Sequence, residues 1–278
     1  MPVSPVRLTI RSKDGVDISA QKTGAGPSLL LVHGALLNGT LAWGAVIPKF
    51  AERFTVYTMD RRGRVPSGDA KTHSIPIEAD DIASVVAAIP QPVILLAHSF
   101  GALAAVDALD RLTAVSHAIL YEPPLTAEGA RPDSPAVLAK LDAFLAADNR
   151  EEIVITFLRD QVRTPVNRLD ALKASPAWPI ILEIAPTLPR ESRAVNTYRA
   201  SPERLANCKI PTTIMLGSLS TGILRDGAYF LRDAIPGCRL VILEGQGHGA
   251  MTEAPDYFVA KVFEAAASVP SPANAAIL

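Results

Sequence analysis

Two cysteines in 278 residues, Cys208 and Cys238, provide no disulfide framework, and they fall in different predicted elements without metal-ligand spacing. Aromatic residues supply only 5% of the chain, so its core must be aliphatic, drawn from the 49% that is hydrophobic. Charge of neither sign is in excess. There are 27 basic and 28 acidic residues for a net of -1, and no basic stripe or lysine run occurs, which argues against nucleic acid as the main partner. No apolar run approaches a membrane span, and the start, Met1-Pro2-Val3-Ser4-Pro5, lacks the apolar stretch of a signal peptide. These absences predict a soluble protein of a reducing cytoplasm that binds neither membrane nor nucleic acid.

What is present is a rhythm of short apolar runs and helical segments. A hairpin is expected from Val6–Ile10 and Val16–Gln21 around Lys13-Asp14-Gly15. Ser28–Val32 is a short apolar run that reads as a strand covered on both faces, and further strands are read at Thr55–Met59, Val93–Ala97 and His117–Tyr121. Helices between them are predicted at about Leu41–Glu52, Glu78–Ile89 and onward from Ser99. Alternation of this kind implies a parallel sheet. From Pro123 to about Cys208 the pattern turns helical and proline-rich, with Ala136–Ala147 and Glu151–Val162 the clearest helices. It then resumes with a strand at Thr212–Leu216, a helix at Leu224–Ala234, a strand at Arg239–Leu243 and a last helix at Tyr257–Ala267. The expected organisation is a core of residues 1–122 and 209–268, a helical cap insertion of 123–208, and a flexible tail of 269–278.

The densest chemical signal is Val93-Ile94-Leu95-Leu96-Ala97-His98-Ser99-Phe100-Gly101-Ala102. A strand running into a serine, with very small residues two positions away on each side, has the form of a nucleophile elbow. Such a turn is sharp and strained, and side chains at those flanking positions are expected to collide across it. Leu31-Val32-His33-Gly34-Ala35 is a strand entering His-Gly, and the amides of Ala35 and Phe100 are the candidate oxyanion donors. Glu244-Gly245-Gln246-Gly247-His248-Gly249 carries His248 on a bare glycine loop directly after a strand, which suits a general base. His33 belongs to the oxyanion strand and His98 to the elbow, while His73 and His117 are expected to be structural.

This order of segments resembles the α/β-hydrolase superfamily over nearly the whole chain. The resemblance implies the α/β-hydrolase fold: a mostly parallel, doubly covered sheet with a helical cap insertion. Asp60-Arg61-Arg62-Gly63-Arg64-Val65-Pro66-Ser67-Gly68 also resembles the family's loop after the fourth strand, with Val65 where a second glycine is common. The family's usual acid, in a Gly-x-x-Asp segment after the cap, is missing: the chain reads Gly217-Ser218-Leu219-Ser220-Thr221. Some members, certain haloalkane dehalogenases and the fungal zearalenone lactonases among them, place the acid after the strand that follows the nucleophile helix. Glu122 stands there, 23 residues after Ser99, and is the expected acid; the alternatives are a bare Ser–His pair or Asp226, which falls within a predicted helix. Aspartate nucleophiles of this fold make alkyl-enzyme esters, whereas a serine implies an acyl-enzyme or a serine-activated water.

The expectation is therefore a serine hydrolase without a cofactor or metal, acting on a hydrophobic small-molecule ester or lactone, with Ser99, His248 and Glu122 as its triad. Trp178 and Phe157 of the insertion are the candidate substrate contacts, and Arg159, Arg163 and Arg168 are expected to be solvated. Two alternatives stay open, a carbon–carbon bond hydrolase of diketone-like substrates and a slow-turnover ligand receptor on the same fold.

Overall fold

The computed structural model describes residues 5–125 and 134–267. The tail predicted at 269–278 lies outside the described residues. Eight strands form one sheet: β1 (Val6–Arg11), β2 (Asp17–Thr23), β3 (Ser28–Val32), β4 (Thr55–Asp60), β5 (Val93–His98), β6 (Val115–Tyr121), β7 (Thr212–Gly217) and β8 (Arg239–Leu243). Their order is β1-β2-β4-β3-β5-β6-β7-β8. β2 pairs antiparallel with β1 and β4, and the pairs from β4 through β3 to β8 are parallel.

The central runs are apolar throughout because both faces of the sheet are covered. Leu30, Val32, Leu95, Ala97 and Leu120 face one core with helices Ile75–Ala88 and Ser99–Ala108. Leu29, Leu31, Ile94, Leu96 and Ile119 face another, made by Trp43, Phe50, Phe258 and Val262. Adjacent residues thus serve opposite faces, as the period of two in a strand requires. Helix Ser99–Ala108 is alanine-rich because it is buried along its length from Phe100 onward, where small side chains let it lie close to both the sheet and helix Ile75–Ala88.

Three helices depart from expectation. The segment expected as one helix over Leu41–Glu52 is two short ones, Gly39–Trp43 and Ile47–Phe50. Pro48 in the first turn of the second has no N–H to continue the first. The helix expected from Glu78 starts three residues earlier at Ile75, because Ser74 caps it and Pro76 fits its first turn. The one expected over Glu151–Val162 is α-helical only from Arg150 to Thr156 and widens into a π-turn over Phe157–Gln161.

Between β6 and β7 every described element is helical. Prolines sit in the first turns of helices Pro135–Ala146, Trp178–Ile184, Leu188–Thr197 and Pro202–Ala206, so they initiate helices here instead of breaking them. Helices between β6 and β7, Arg150–Thr156 among them, pack a third apolar cluster, including Leu141, Ile153, Val154, Ile181 and Leu188, onto Leu36 of the loop after β3. No helix among the described residues is long and apolar enough to cross a membrane.

Candidate active site

Parallel registration brings the carboxyl ends of the central strands to one edge. Val32 pairs with Ala97, His98 with Tyr121, and Tyr121 with Met215. The sequence-predicted residues follow directly at that edge. Ser99 leaves β5 with φ 53° and Glu122 leaves β6 with φ 50°, both in the left-handed region that side chains rarely adopt. Each such residue costs about 1–3 kcal/mol, and the surrounding packing must hold it there.

Three side chains form a chain of hydrogen bonds. Ser99 Oγ donates to His248 Nε2 over 3.0 Å, and His248 Nδ1–H donates to Glu122 Oε2 over 2.5 Å. Glu122 is fully buried, and its other oxygen, Oε1, accepts from the Gly217 amide at 2.7 Å. Glu122 fixes the imidazole tautomer, leaving the Nε2 lone pair facing the Ser99 hydroxyl. The Gly217–Thr221 segment, which lacks the family's usual carboxylate, thus supplies an amide donor to the Glu122 carboxylate. Asp226 lies exposed on helix Ile223–Ala234, beside Arg225.

The residues just before the serine and the glutamate anchor the histidine loop. His98 Nε2–H donates to the His248 carbonyl at 3.0 Å, and the two imidazole centroids are 4.5 Å apart. Burial holds His98 well below the ordinary histidine pKa, with the neighbouring His248 adding to the effect, so its ring stays neutral. Tyr121 donates its hydroxyl to the Gly247 carbonyl and accepts from the Ala250 amide at 3.3 Å. Ser218 Oγ accepts from the Gly245 amide at 2.8 Å, and Leu219 N–H donates to the Gln246 carbonyl at 2.9 Å. Along the chain these anchors show only through Tyr121, a polar aromatic closing an aliphatic strand beside the predicted acid.

Gly34 is glycine by necessity of space. A methyl group there would lie 2.9 Å from Ser99 Cβ and 3.4 Å from Ser99 Oγ. Gly101 has a different reason from the collision across the turn expected of it. A Cβ at Gly101 would strike the His33 carbonyl and the end of β3, against which helix Ser99–Ala108 packs. Neither the Ala35 nor the Phe100 amide has an acceptor among the described residues, which leaves two backbone donors beside the serine.

Phe157 and Trp178 are partly buried in the apolar cluster that also holds Ala35 and Leu36. Arg159 pairs with Asp160, and Arg168 with Glu253, on exposed surface. His117 donates to or accepts from Thr213 Oγ1 within the sheet, and His73 pairs with Glu78. His73, Glu78 and Glu191 bring metal-ligand atoms within 4.8 Å of one another. Arg61 and Arg64 already neutralise those two carboxylates, which is the chemistry of an ion-pair cluster.

The sheet order, the strained serine at a strand end and its His–Glu partners define a hydrolase of the α/β class. Residues 29–261 match the model of the alpha/beta hydrolase family, and the chain belongs to that family. Among relatives, it is 25% identical over 257 residues to a pimeloyl-[acyl-carrier protein] methyl ester esterase of Aeromonas hydrophila, covering 88% of this chain and 97% of the relative. It is 32% identical to an alpha/beta hydrolase from Sphaerobacter thermophilus whose crystal structure superposes with a TM-score of 0.81, over 93% of this chain and 99% of the other. An esterase from Exiguobacterium antarcticum shares the fold at 20% identity and a TM-score of 0.74, over 92% and 97% of the two chains.

Proposed function

We propose that the protein is a serine hydrolase of small hydrophobic carboxylic esters or lactones that works through an acyl-enzyme. The observation that carries this reading is the hydrogen-bonded sequence Ser99–His248–Glu122 beside two unengaged amides. Ser99 Oγ attacks the carbonyl carbon while its proton passes to His248 Nε2. Glu122 stabilises the imidazolium, and the amides of Ala35 and Phe100 receive the oxyanion. Collapse expels the alcohol, which takes the proton from His248. Water, deprotonated by the same histidine, then attacks the acyl-enzyme and releases the acid; with a lactone the product is a single hydroxy acid.

The helices of residues 134–206 act as a cap, and the apolar cluster of Leu36, Phe157 and Trp178 forms the wall that selects hydrophobic acyl or alcohol groups. The esterase named among the relatives supports the ester class. The test is rapid-mixing and steady-state hydrolysis of a p-nitrophenyl ester series and a lactone panel. One equivalent of p-nitrophenol in a burst, sustained turnover, and loss of both in Ser99→Ala are expected. A burst followed by almost no turnover would instead mark a ligand receptor.

A further inference from the structure

Behind the two amides lies a buried ion-pair cluster that the steps above do not use. The side chains of Arg61 and Arg64, in the loop after β4, are completely buried. Arg61 Nε and Nη2 donate to the two oxygens of Glu78 at 2.6 and 2.7 Å, and Nη2 also reaches Glu191 Oε1 at 3.1 Å. Arg64 donates to the same Glu191 oxygen. Glu78 belongs to the core, whereas Glu191 is carried by helix Leu188–Thr197 of the inserted segment. The remaining Arg61 nitrogen, Nη1, donates to the Gly34 carbonyl at 3.0 Å. His33 Nδ1–H donates to that same carbonyl at 2.8 Å, and His33 Nε2 accepts from the Arg61 amide at 3.1 Å. The Arg61 guanidinium also lies 4.1 Å from the centroid of the Phe100 ring.

The geometry of one peptide links this cluster to the chemistry. In a trans peptide the carbonyl and the following N–H point in opposite directions. Fixing the Gly34 carbonyl on Arg61 and His33 therefore fixes the direction of the Ala35 N–H. Gly34 has no side chain to resist rotation of this peptide, and a flip would turn a carbonyl lone pair toward the place where negative charge develops.

We propose that Arg61 is a positioning residue: held by Glu78 and by Glu191 of the inserted helices, it pins the Gly34 carbonyl and so presets the Ala35 N–H as an oxyanion donor. The proposal rests on the serine-hydrolase reading. It makes the seating of the insertion on the core a condition for a competent oxyanion site.

The experiment compares the wild type with Arg61→Lys and Glu191→Gln. The readouts are kcat and KM for p-nitrophenyl butyrate, the inhibition constant of an aryl trifluoromethyl ketone, and the melting temperature. In Arg61→Lys, kcat should fall about 10- to 100-fold with KM changed by less than about threefold, because the donor is used mainly in the transition state. Affinity for the ketone, whose adduct carries an oxyanion, should fall in step with kcat/KM. Glu191→Gln, which keeps the side-chain volume, should show the same split with a smaller, several-fold loss. A folded Arg61→Lys with unchanged kcat, or with lost kcat but undiminished ketone affinity, would overturn the proposal. If Arg61→Lys does not fold, Glu191→Gln decides, and wild-type values for kcat and ketone binding would overturn it. A wild type without Ser99-dependent hydrolysis of the ester would overturn the hydrolase reading and this inference together, whereas normal Ser99-dependent wild-type hydrolysis with silent variants would overturn the inference alone.

Discussion

Ser99 and Glu122 leave the adjacent strands β5 and β6 with nearly the same backbone twist, φ 53° and 50°, and His248 bridges them. The shared twist turns both side chains up from the same sheet edge, so one imidazole touches both. Replacing the carboxylate by an isosteric amide keeps the shape but removes the charge that balances the imidazolium. Glu122→Gln should lower kcat by roughly 100- to 10,000-fold with the fold retained. Ser220→Ala, in the segment where the family usually carries its acid, should stay within about twofold of wild type. Steady-state kinetics with circular dichroism check both.

Gly34→Ala and Gly101→Ala should fail in different ways. The added methyl at position 34 meets Ser99 itself, whereas at position 101 it meets the backbone of β3. The first should cost about 100-fold or more in kcat with a modest change in melting temperature. The second should destabilise the fold by about 1–3 kcal/mol, as overpacking against a rigid backbone does. Equal melting temperatures for the two would contradict this assignment.

Tyr121→Phe should loosen the histidine loop without touching the triad. It removes the hydroxyl that bridges Gly247 and Ala250 on either side of His248. Leaving those backbone groups unmet should cost about 1–3 kcal/mol in urea unfolding, with kcat lowered about tenfold. Unaltered kcat would mean that His98, Ser218 and Leu219 suffice to seat the loop.

Acid should destabilise the protein through its buried imidazoles. Burial, helped by Arg239, pulls the His117 pKa from 6.5 down to about 4, and burial holds His33 and His98 well below the ordinary value as well. Between those two values for His117 the unfolded chain binds a proton that the native protein does not. Its contribution is complete above the unfolded pKa and is lost as pH falls through the folded one, up to roughly 3 kcal/mol. Unfolding free energies at about pH 7 and about pH 4.5 should differ less in His117→Gln than in the wild type, by about 2 kcal/mol. An equal fall in both would place the titration elsewhere.

Much of this was readable along the chain because it depends on local pattern. Apolar runs such as Leu29–Val32 mark strands covered on both faces, since water on either face would impose polar alternation. The Ser99 turn shows in its small neighbours, and His248 in its glycines. Helix starts were less legible where proline carries two meanings. Pro48 falls inside the helix expected over Leu41–Glu52 and Pro76 ahead of the one expected from Glu78, yet each fits a first turn whose amides have no intrahelical partner anyway. Arg61, Arg62 and Arg64 read as a polar loop, because nothing in their order reveals that Glu78, Asp81 and Glu191 wait for them in the interior.

The sequence by itself determined the sheet and the positions of a candidate nucleophile, base and acid, because each is a property of a short segment and its turn. Only the tertiary structure decided that Glu122 reaches His248. That contact joins groups 126 residues apart and depends on the parallel register of β5, β6 and β7. It also decided what the Gly217 segment does in place of its missing carboxylate, and where the Gly34 carbonyl points. A peptide's orientation is set by the partners that fold against it, and here those partners are His33 beside it and an arginine 27 residues away.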